Sequence, residues 1–159
     1  MVPMSAPVAI RPFVRTDEAA CLGIFDGNMP RFFAPSERPE FVRFLETSTS
    51  PYLVATAQDG SVIACGGYHV DGDAAFANLT WGMVQRSWHG RGIGETLLHA
   101  RIAAIEASTT VAVIRATTSQ HARGFFARHG FKLVRIEPDG LARGLDRVEM
   151  ERLVSRSTA

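Results

Sequence analysis

Apolar residues change their spacing repeatedly along this chain, and each change predicts an element. Val8 to Val14 alternates, with Ile10, Pro12 and Val14 on one side, which predicts a strand; Pro12 lacks a ladder N–H and places it at a sheet edge. Thr16 or Asp17 then caps a helix from about Glu18 to Asp26, stopped by Gly27-Asn28-Met29-Pro30. Phe41, Phe44 and Leu45 recur at helical spacing near Pro39 to Thr47. Tyr52 to Ala57 and Val62 to Val70 read as strands joined at Asp59-Gly60. Asp71-Gly72-Asp73 makes the next turn, and Phe76 to Val84 the next strand.

A helical pattern follows from about Gly92 to Ser108, with Ile93, Leu97, Ile102 and Ile105 on its buried side and His99, Arg101 and Glu106 outside. Val111 to Ala116 reads as a short buried strand, and Ser119 to His129 as a helix ended by Gly130. Lys132 to Ile136 and Val148 to Leu153 are the last strands, separated by a Pro138-Asp139-Gly140 loop. Strands interleaved with helices in this way predict an α/β class with a mixed sheet.

Composition narrows the function. A chain of 159 residues, 46% hydrophobic and 21% charged, reads as one globular domain spanning 1–159. Its formal net charge of +1 and scattered arginines argue against a nucleic-acid partner. Cys21 and Cys65 are too few for a disulfide framework or a metal knuckle, so no metal is expected. The start, Met1 to Ile10, lacks the pattern of a leader, and no apolar run reaches the ~20 residues of a membrane span. A cytoplasmic protein without a membrane partner is the expectation.

The candidate chemistry lies where the strand ending at Val84 passes into the helix starting near Gly92. There His89-Gly90-Arg91-Gly92-Ile93-Gly94-Glu95-Thr96 places glycines at alternate positions. Glycines let backbone approach a ligand, and the helix start offers unpaired N–H groups and a positive dipole end to an anion. Arg91 adds a guanidinium suited to phosphate oxygens. No Lys follows the glycines as a P-loop requires, and G-x-G-x-G is not the spacing of a dinucleotide fold.

This motif resembles the acetyl-CoA signature of the GNAT superfamily of N-acetyltransferases, Q/R-x-x-G-x-G/A after a strand, followed by Leu97 and Leu98. His89 stands for the usual Gln or Arg, and Arg86 for the Pro of the V-x-P turn that begins at Val84. A second segment, Ala122-Arg123-Gly124-Phe125-Phe126-Ala127-Arg128-His129-Gly130-Phe131, resembles the family's A-x-x-(L/F)-Y-x-K-x-G-F. The likeness runs from about residue 8 to 152. It implies a central, mostly antiparallel sheet with helices on both faces, acetyl-CoA as co-substrate, and direct transfer to a primary amine in a ternary complex.

By that resemblance the backbone of Arg91, Gly92, Ile93, Gly94, Glu95 and Thr96 holds the pyrophosphate, with His89 and Gly90 in the same turn. Met83 and Val84 pair with pantetheine. Ser119 stands where the family has an Asn that reaches the pantetheine arm. Phe126 replaces the Tyr that protonates the departing thiolate, and a phenyl ring has no proton to give; Ser119, His121 or a water are the candidates to replace that acid, beside the reading of Phe126 as a wall only. A lysine-like amine, with a pKa of about 10.4, also needs a base. Glu37, His69, Asp71, His121 and Glu149 are the candidates; Glu37 lies in the connection that borders the acceptor site in this family. Phe25, Phe32, Phe33, Phe41 and Phe44 would wall that site, most of them as core.

The acceptor is a small-molecule or peptide amine, and a homodimer through the late strands is compatible with the resemblance. The competing reading is a non-catalytic module with the same fold that binds or senses acyl-CoA or contacts a protein partner.

Overall fold

The computed structural model describes residues 8–72 and 75–155. Seven strands, Ala9–Pro12 (β1), Tyr52–Thr56 (β2), Val62–Val70 (β3), Phe76–Val84 (β4), Val113–Thr118 (β5), Lys132–Ala142 (β6) and Leu145–Leu153 (β7), form one sheet ordered β1-β2-β3-β4-β5-β7-β6. Neighbours are antiparallel except β4 and β5, which run parallel. The helices are Glu18–Gly27 (α1), Arg38–Thr47 (α2), Ile93–Ser108 (α3) and Arg123–Arg128 (α4). The expected mixed, mostly antiparallel sheet is therefore present.

Successive strand residues face opposite sides, and the core divides accordingly. Val54, Cys65 and Met83 pack against Cys21, Ile24, Phe25, Phe41 and Leu45 of α1 and α2. Their chain neighbours Ala55 and Ala64 meet Ile93 and Leu97 of α3 on the other face. Further along, Leu98, Ile102 and Ile105 of α3 cover Tyr68, Ala77, Ile114 and Val148.

Several expectations are corrected. Asp17 is the N-cap residue of α1, but its side chain accepts no helix N–H; the buried carboxylate instead accepts both Arg11 Nη atoms (2.8 and 2.9 Å) and the Val14 N–H (2.9 Å). The fifth strand starts at Val113 rather than Val111, because Val111 is buried within the connection, and it continues to Thr118 because β7 pairs along its whole length. Helix α4 starts at Arg123, not Ser119: the Ser119 carbonyl accepts the Ala122 and Arg123 N–H groups in a tight turn. Pro138-Asp139-Gly140 is not the loop between the last strands. β6 is outermost, so Pro138 and the left-handed Asp139 (φ 55°) are absorbed as an irregularity, and the chain reverses at Arg143-Gly144. Gly144 takes φ 78° there, and its N–H donates to Asp139 Oδ1 at 2.7 Å. Of the Asp71-Gly72-Asp73 turn, Asp73 lies outside the described residues. Arg101, expected on the outside of α3, is only 4% exposed.

Candidate active site

The parallel pair β4 and β5 is joined only at Phe76, Ala77 and Asn78 against Val113, Ile114 and Arg115. Beyond these the strands part, and β5 stays with β7 as far as Thr118. Leu79 to Val84 therefore present an open edge, a fork in the sheet. The cause is a bulge: Cys65 pairs with Met83 and Gly67 with Thr80, so Trp81 and Gly82 together oppose Gly66. Trp81 has φ 43°, a left-handed conformation costing about 1–2 kcal/mol for a residue with a Cβ. Its surroundings hold it there. The ring sits among Phe25, Phe33, Phe41 and Phe44, with centroids 5.0 to 6.4 Å away, and its carbonyl accepts the Tyr52 hydroxyl at 2.7 Å.

At the end of the fork Gly90 (φ 78°) and Gly92 (φ 79°) turn the chain into α3 through left-handed positions suited to glycine. Gly92 is the N-cap and offers no side chain, so Ile93, Gly94 and Glu95 present uncapped first-turn N–H groups. Thr96 leaves the donor set, since its N–H and its hydroxyl both go to the Gly92 carbonyl at 3.1 and 3.0 Å. The Arg91 guanidinium lies 4.9 Å over the Trp88 ring, exposed beside the turn.

The Gln85 N–H donates to the Ile63 carbonyl, which makes Ala64 and Val84 a non-hydrogen-bonded pair. Val84 thus turns its peptide groups to the fork, and Met83 turns to β3. The Val84 carbonyl accepts Asn28 Nδ2 at 2.9 Å and His89 Nε2 at 2.8 Å. A carbonyl only accepts, so His89 carries its proton on Nε2. His89 ties the turn to the strand end, and of the Val84 peptide groups the N–H is left for strand-like pairing. Asn28, 2% exposed, was not singled out in the sequence, where it reads as part of a helix stop.

The opposite lip follows β5. The buried Ser119 hydroxyl accepts the His121 N–H at 3.2 Å. Phe32, from the connection between α1 and α2, spans the mouth, with ring centroids 5.5 Å from His89 and 6.1 Å from His121. Arg31 and Arg86 each lie 5.6 Å from its centroid. Phe126 is half-buried against Phe125 and Phe131, both at 5.3 Å, as an aromatic wall.

Glu37, His69 and Ser119 do not converge. Glu37, five residues beyond Phe32, accepts the Ala34 N–H on Oε2 at 2.7 Å, and burial pushes its carboxyl above the usual range. His69 lies opposite Asn78, where β4 is still joined to β5, and its Nδ1 sits 2.8 Å from the Ser50 hydroxyl. Ser119 Oγ accepts the His121 N–H and keeps its own O–H to donate. Asp71 contacts Asn78 Nδ2 at 3.3 Å, and Glu149 lies 3.5 Å from Arg147. The cysteines are no nucleophiles: both are fully buried, and a hydrogen bond to Cys65, then burial, push the Cys21 thiol up.

Glu95, His99 and His129 bring donor atoms within 4.8 Å of one another. Glu95 and His99 are exposed, and His129 is partly buried. Two surface hollows lie away from the fork, one beside His129, Lys132 and Leu153, the other at Ala107 to Val111. Neither is lined by the uncapped α3 amides or by the open strand edge. No helix among the described residues is long and apolar enough to cross a membrane.

The family model for the acetyltransferase (GNAT) domain matches residues 34–154. Among solved structures, the chain is 22% identical to the ribosomal-protein-S18-alanine N-acetyltransferase of Escherichia coli, covering 96% of this chain and 97% of that one at a TM-score of 0.75. A GCN5-related N-acetyltransferase from Kribbella flavida is 18% identical over 92% and 97% at 0.77. The yncA protein of Salmonella typhimurium, whose structure holds acetyl-CoA, is 18% identical over 97% and 98% at 0.73. No curated protein matches the chain.

Proposed function

The chain belongs to the GNAT acetyltransferase family, and from that premise we propose that it transfers an acetyl group from acetyl-CoA to a primary amine by direct attack in a ternary complex. The observation that carries this reading is the fork in the sheet with uncapped α3 amides at its end. A thioester on a long amide-bearing arm fits there: Ile93, Gly94 and Glu95 N–H groups for the pyrophosphate, Arg91 beside them, and the Val84 N–H along the arm. The acetyl-CoA bound to the Salmonella relative supports the same co-substrate.

In the reaction the amine nitrogen bonds the acetyl carbon, the carbon–sulfur bond breaks, and the electron pair leaves with the coenzyme A sulfur. Glu37 takes the amine proton; burial raises its basicity toward the working pH, the direction a general base requires. Phe126 walls the thioester and supplies no proton. With a thiol pKa of about 8.5, the thiolate leaves without a dedicated acid. Phe32, Arg31, Arg86 and His121 frame the mouth through which a small-molecule or peptide amine enters. The chain works as one N-acetyltransferase domain over 1–159 in the cytoplasm. Leu133, Val134 and Ile136, exposed on the outer strand β6, support a homodimer through the late strands.

Titration calorimetry with acetyl-CoA, with ATP and NAD as controls, tests the site. Micromolar binding that disappears in an Arg91→Glu, Gly92→Trp variant is expected; an unbound wild type refutes the assignment. Thiol release with a panel of peptide, aminoglycoside, polyamine and amino-acid amines then tests turnover. Binding with no turnover on any amine would leave an acyl-CoA-binding module. Glu37→Gln keeps the hydrogen bond from Ala34 and should lower kcat about 10²-fold if the carboxylate is the base.

A further inference from the structure

Arg101 lies on the same stripe of α3 as Leu97 and Ile105, and all three are buried. Its guanidinium rests on the sheet where the strands carry no side chains. A Cβ on Gly66 would lie 3.1 Å from its Cζ, and one on Gly82 would lie 2.8 Å from its Nη2. Glycine at both positions is what admits it. Among the described residues it has no carboxylate partner. Nη1 reaches only the Gly67 carbonyl, at 3.4 Å, and Nε donates to nothing. The nearby Tyr52 is no counter-ion, since burial pushes its ionisation far up. Burial lowers Arg101 to about 10, which leaves it charged at neutral pH.

An unpaired buried charge is among the costliest groups a fold can hold. This one sits directly behind Gly82, which is exposed in the fork and belongs to the bulge that opens it. During acyl transfer, negative charge gathers on the acyl oxygen as the amine nitrogen bonds the carbonyl carbon. That charge drains to the coenzyme A sulfur when the carbon–sulfur bond breaks. A fixed cation behind the bulge stabilises the charge while it exists.

We infer that Arg101 is a positioning residue for acyl transfer: it lies against the Trp81-Gly82 bulge and sets a buried positive charge behind the place of the acyl oxygen. The inference rests on the acetyl-transfer reading. Arg101 neither gives nor takes a proton.

Arg101→Met and Arg101→Lys test it, with melting temperature, acetyl-CoA titration and the rate of thiol release from acetyl-CoA in hydroxylamine above the enzyme-free rate as readouts. The methionine variant replaces a buried charge by an apolar chain, so it should melt at or above the wild type. It should bind acetyl-CoA within about threefold, yet lose about 10²-fold in kcat, and lysine should recover part of that loss. Arg101→Met with a kcat within about threefold of the wild type overturns the role. So does a kcat loss that comes only together with lost melting temperature and lost binding, which is the mark of a scaffold residue. A wild type that neither binds nor turns over acetyl-CoA overturns the acetyl-transfer reading and this inference together. A wild type that does both, beside an unimpaired methionine variant, overturns this one alone.

Discussion

Gly67→Ala is expected to be among the most damaging single-methyl additions in this protein. The new Cβ would overlap the Pro51 carbonyl oxygen and lie 2.8 Å from Tyr52 Cδ1 and 2.9 Å from Tyr52 Cα. These atoms cannot swing aside. The Pro51 carbonyl accepts the Tyr68 N–H at 3.1 Å, Tyr52 is paired with Gly67 across the ladder, and its hydroxyl holds the Trp81 carbonyl. Relief therefore requires β2 and β3 to separate locally, and overpacking of this kind reaches about 3 kcal/mol. For a chain of this length that lowers the melting temperature by about 6–12 °C. With a urea slope of about 2 kcal/mol/M, the unfolding midpoint falls by about 1.5 M. Gly94→Ala is the control, since its Cβ would meet Phe125 and Val84 at an ordinary 3.6 Å. Urea unfolding followed by tryptophan fluorescence decides the matter. A Gly67→Ala midpoint within about 0.3 M of the wild type, less than 1 kcal/mol on that slope, would refute the packing argument. Movement of Tyr52 also loosens the bulge, so residual activity should fall further than the folded fraction alone accounts for.

Other expectations follow from single contacts. Asp17→Asn should cost about 2 kcal/mol, because a buried acceptor of three hydrogen bonds, two from a guanidinium, loses its charge. Arg11 holds the Asp17 carboxyl below its ordinary value of 3.8, so that stability is present above this value and is lost as pH falls through the lower folded-state value. Acid unfolding should accordingly be less steep in the variant than in the wild type. Phe126→Tyr should change kcat less than about threefold, the size expected of a wall rather than of a missing acid, which would return about 10²-fold or more. Val134→Lys with Ile136→Lys should leave a monomer by light scattering if β6 forms the interface; an unchanged mass would remove it from consideration.

How much of this was legible beforehand varies by element. The β3 boundaries matched because its apolar run, Val62 to Val70, is bracketed by Ser61 and Asp71. The Gly90 to Gly94 turn was identifiable because left-handed positions favour one residue type. Pro138 misled because its effect depends on being in an outermost strand, and strand order is a property of the whole sheet. Arg101 was missed although Leu97, Arg101 and Ile105 fall at successive fourth positions on α3. Residue type outweighed period there, and the matching signal was remote: Gly66 and Gly82, each missing the side chain that would exclude it. Asn28 showed locally only as a helix stop, where its Nδ2 donates to the Ile24 carbonyl; its second acceptor, the Val84 carbonyl, is 56 residues away.

The fork also has a mechanical side. Strands β1 to β4 and strands β5 to β7 are joined through the ladder at only three paired positions, all at one end. The sheet is two leaves on a short seam, and the open edges are the backbone groups that a further strand would satisfy. A ligand arm bearing amides, seated between the leaves, acts as an interrupted strand and stitches the seam toward its free end. Amide hydrogen exchange should therefore slow on both leaves at once when acetyl-CoA binds, in Leu79 to Val84 and in Ala116 to Thr118, rather than around the ligand on one side only.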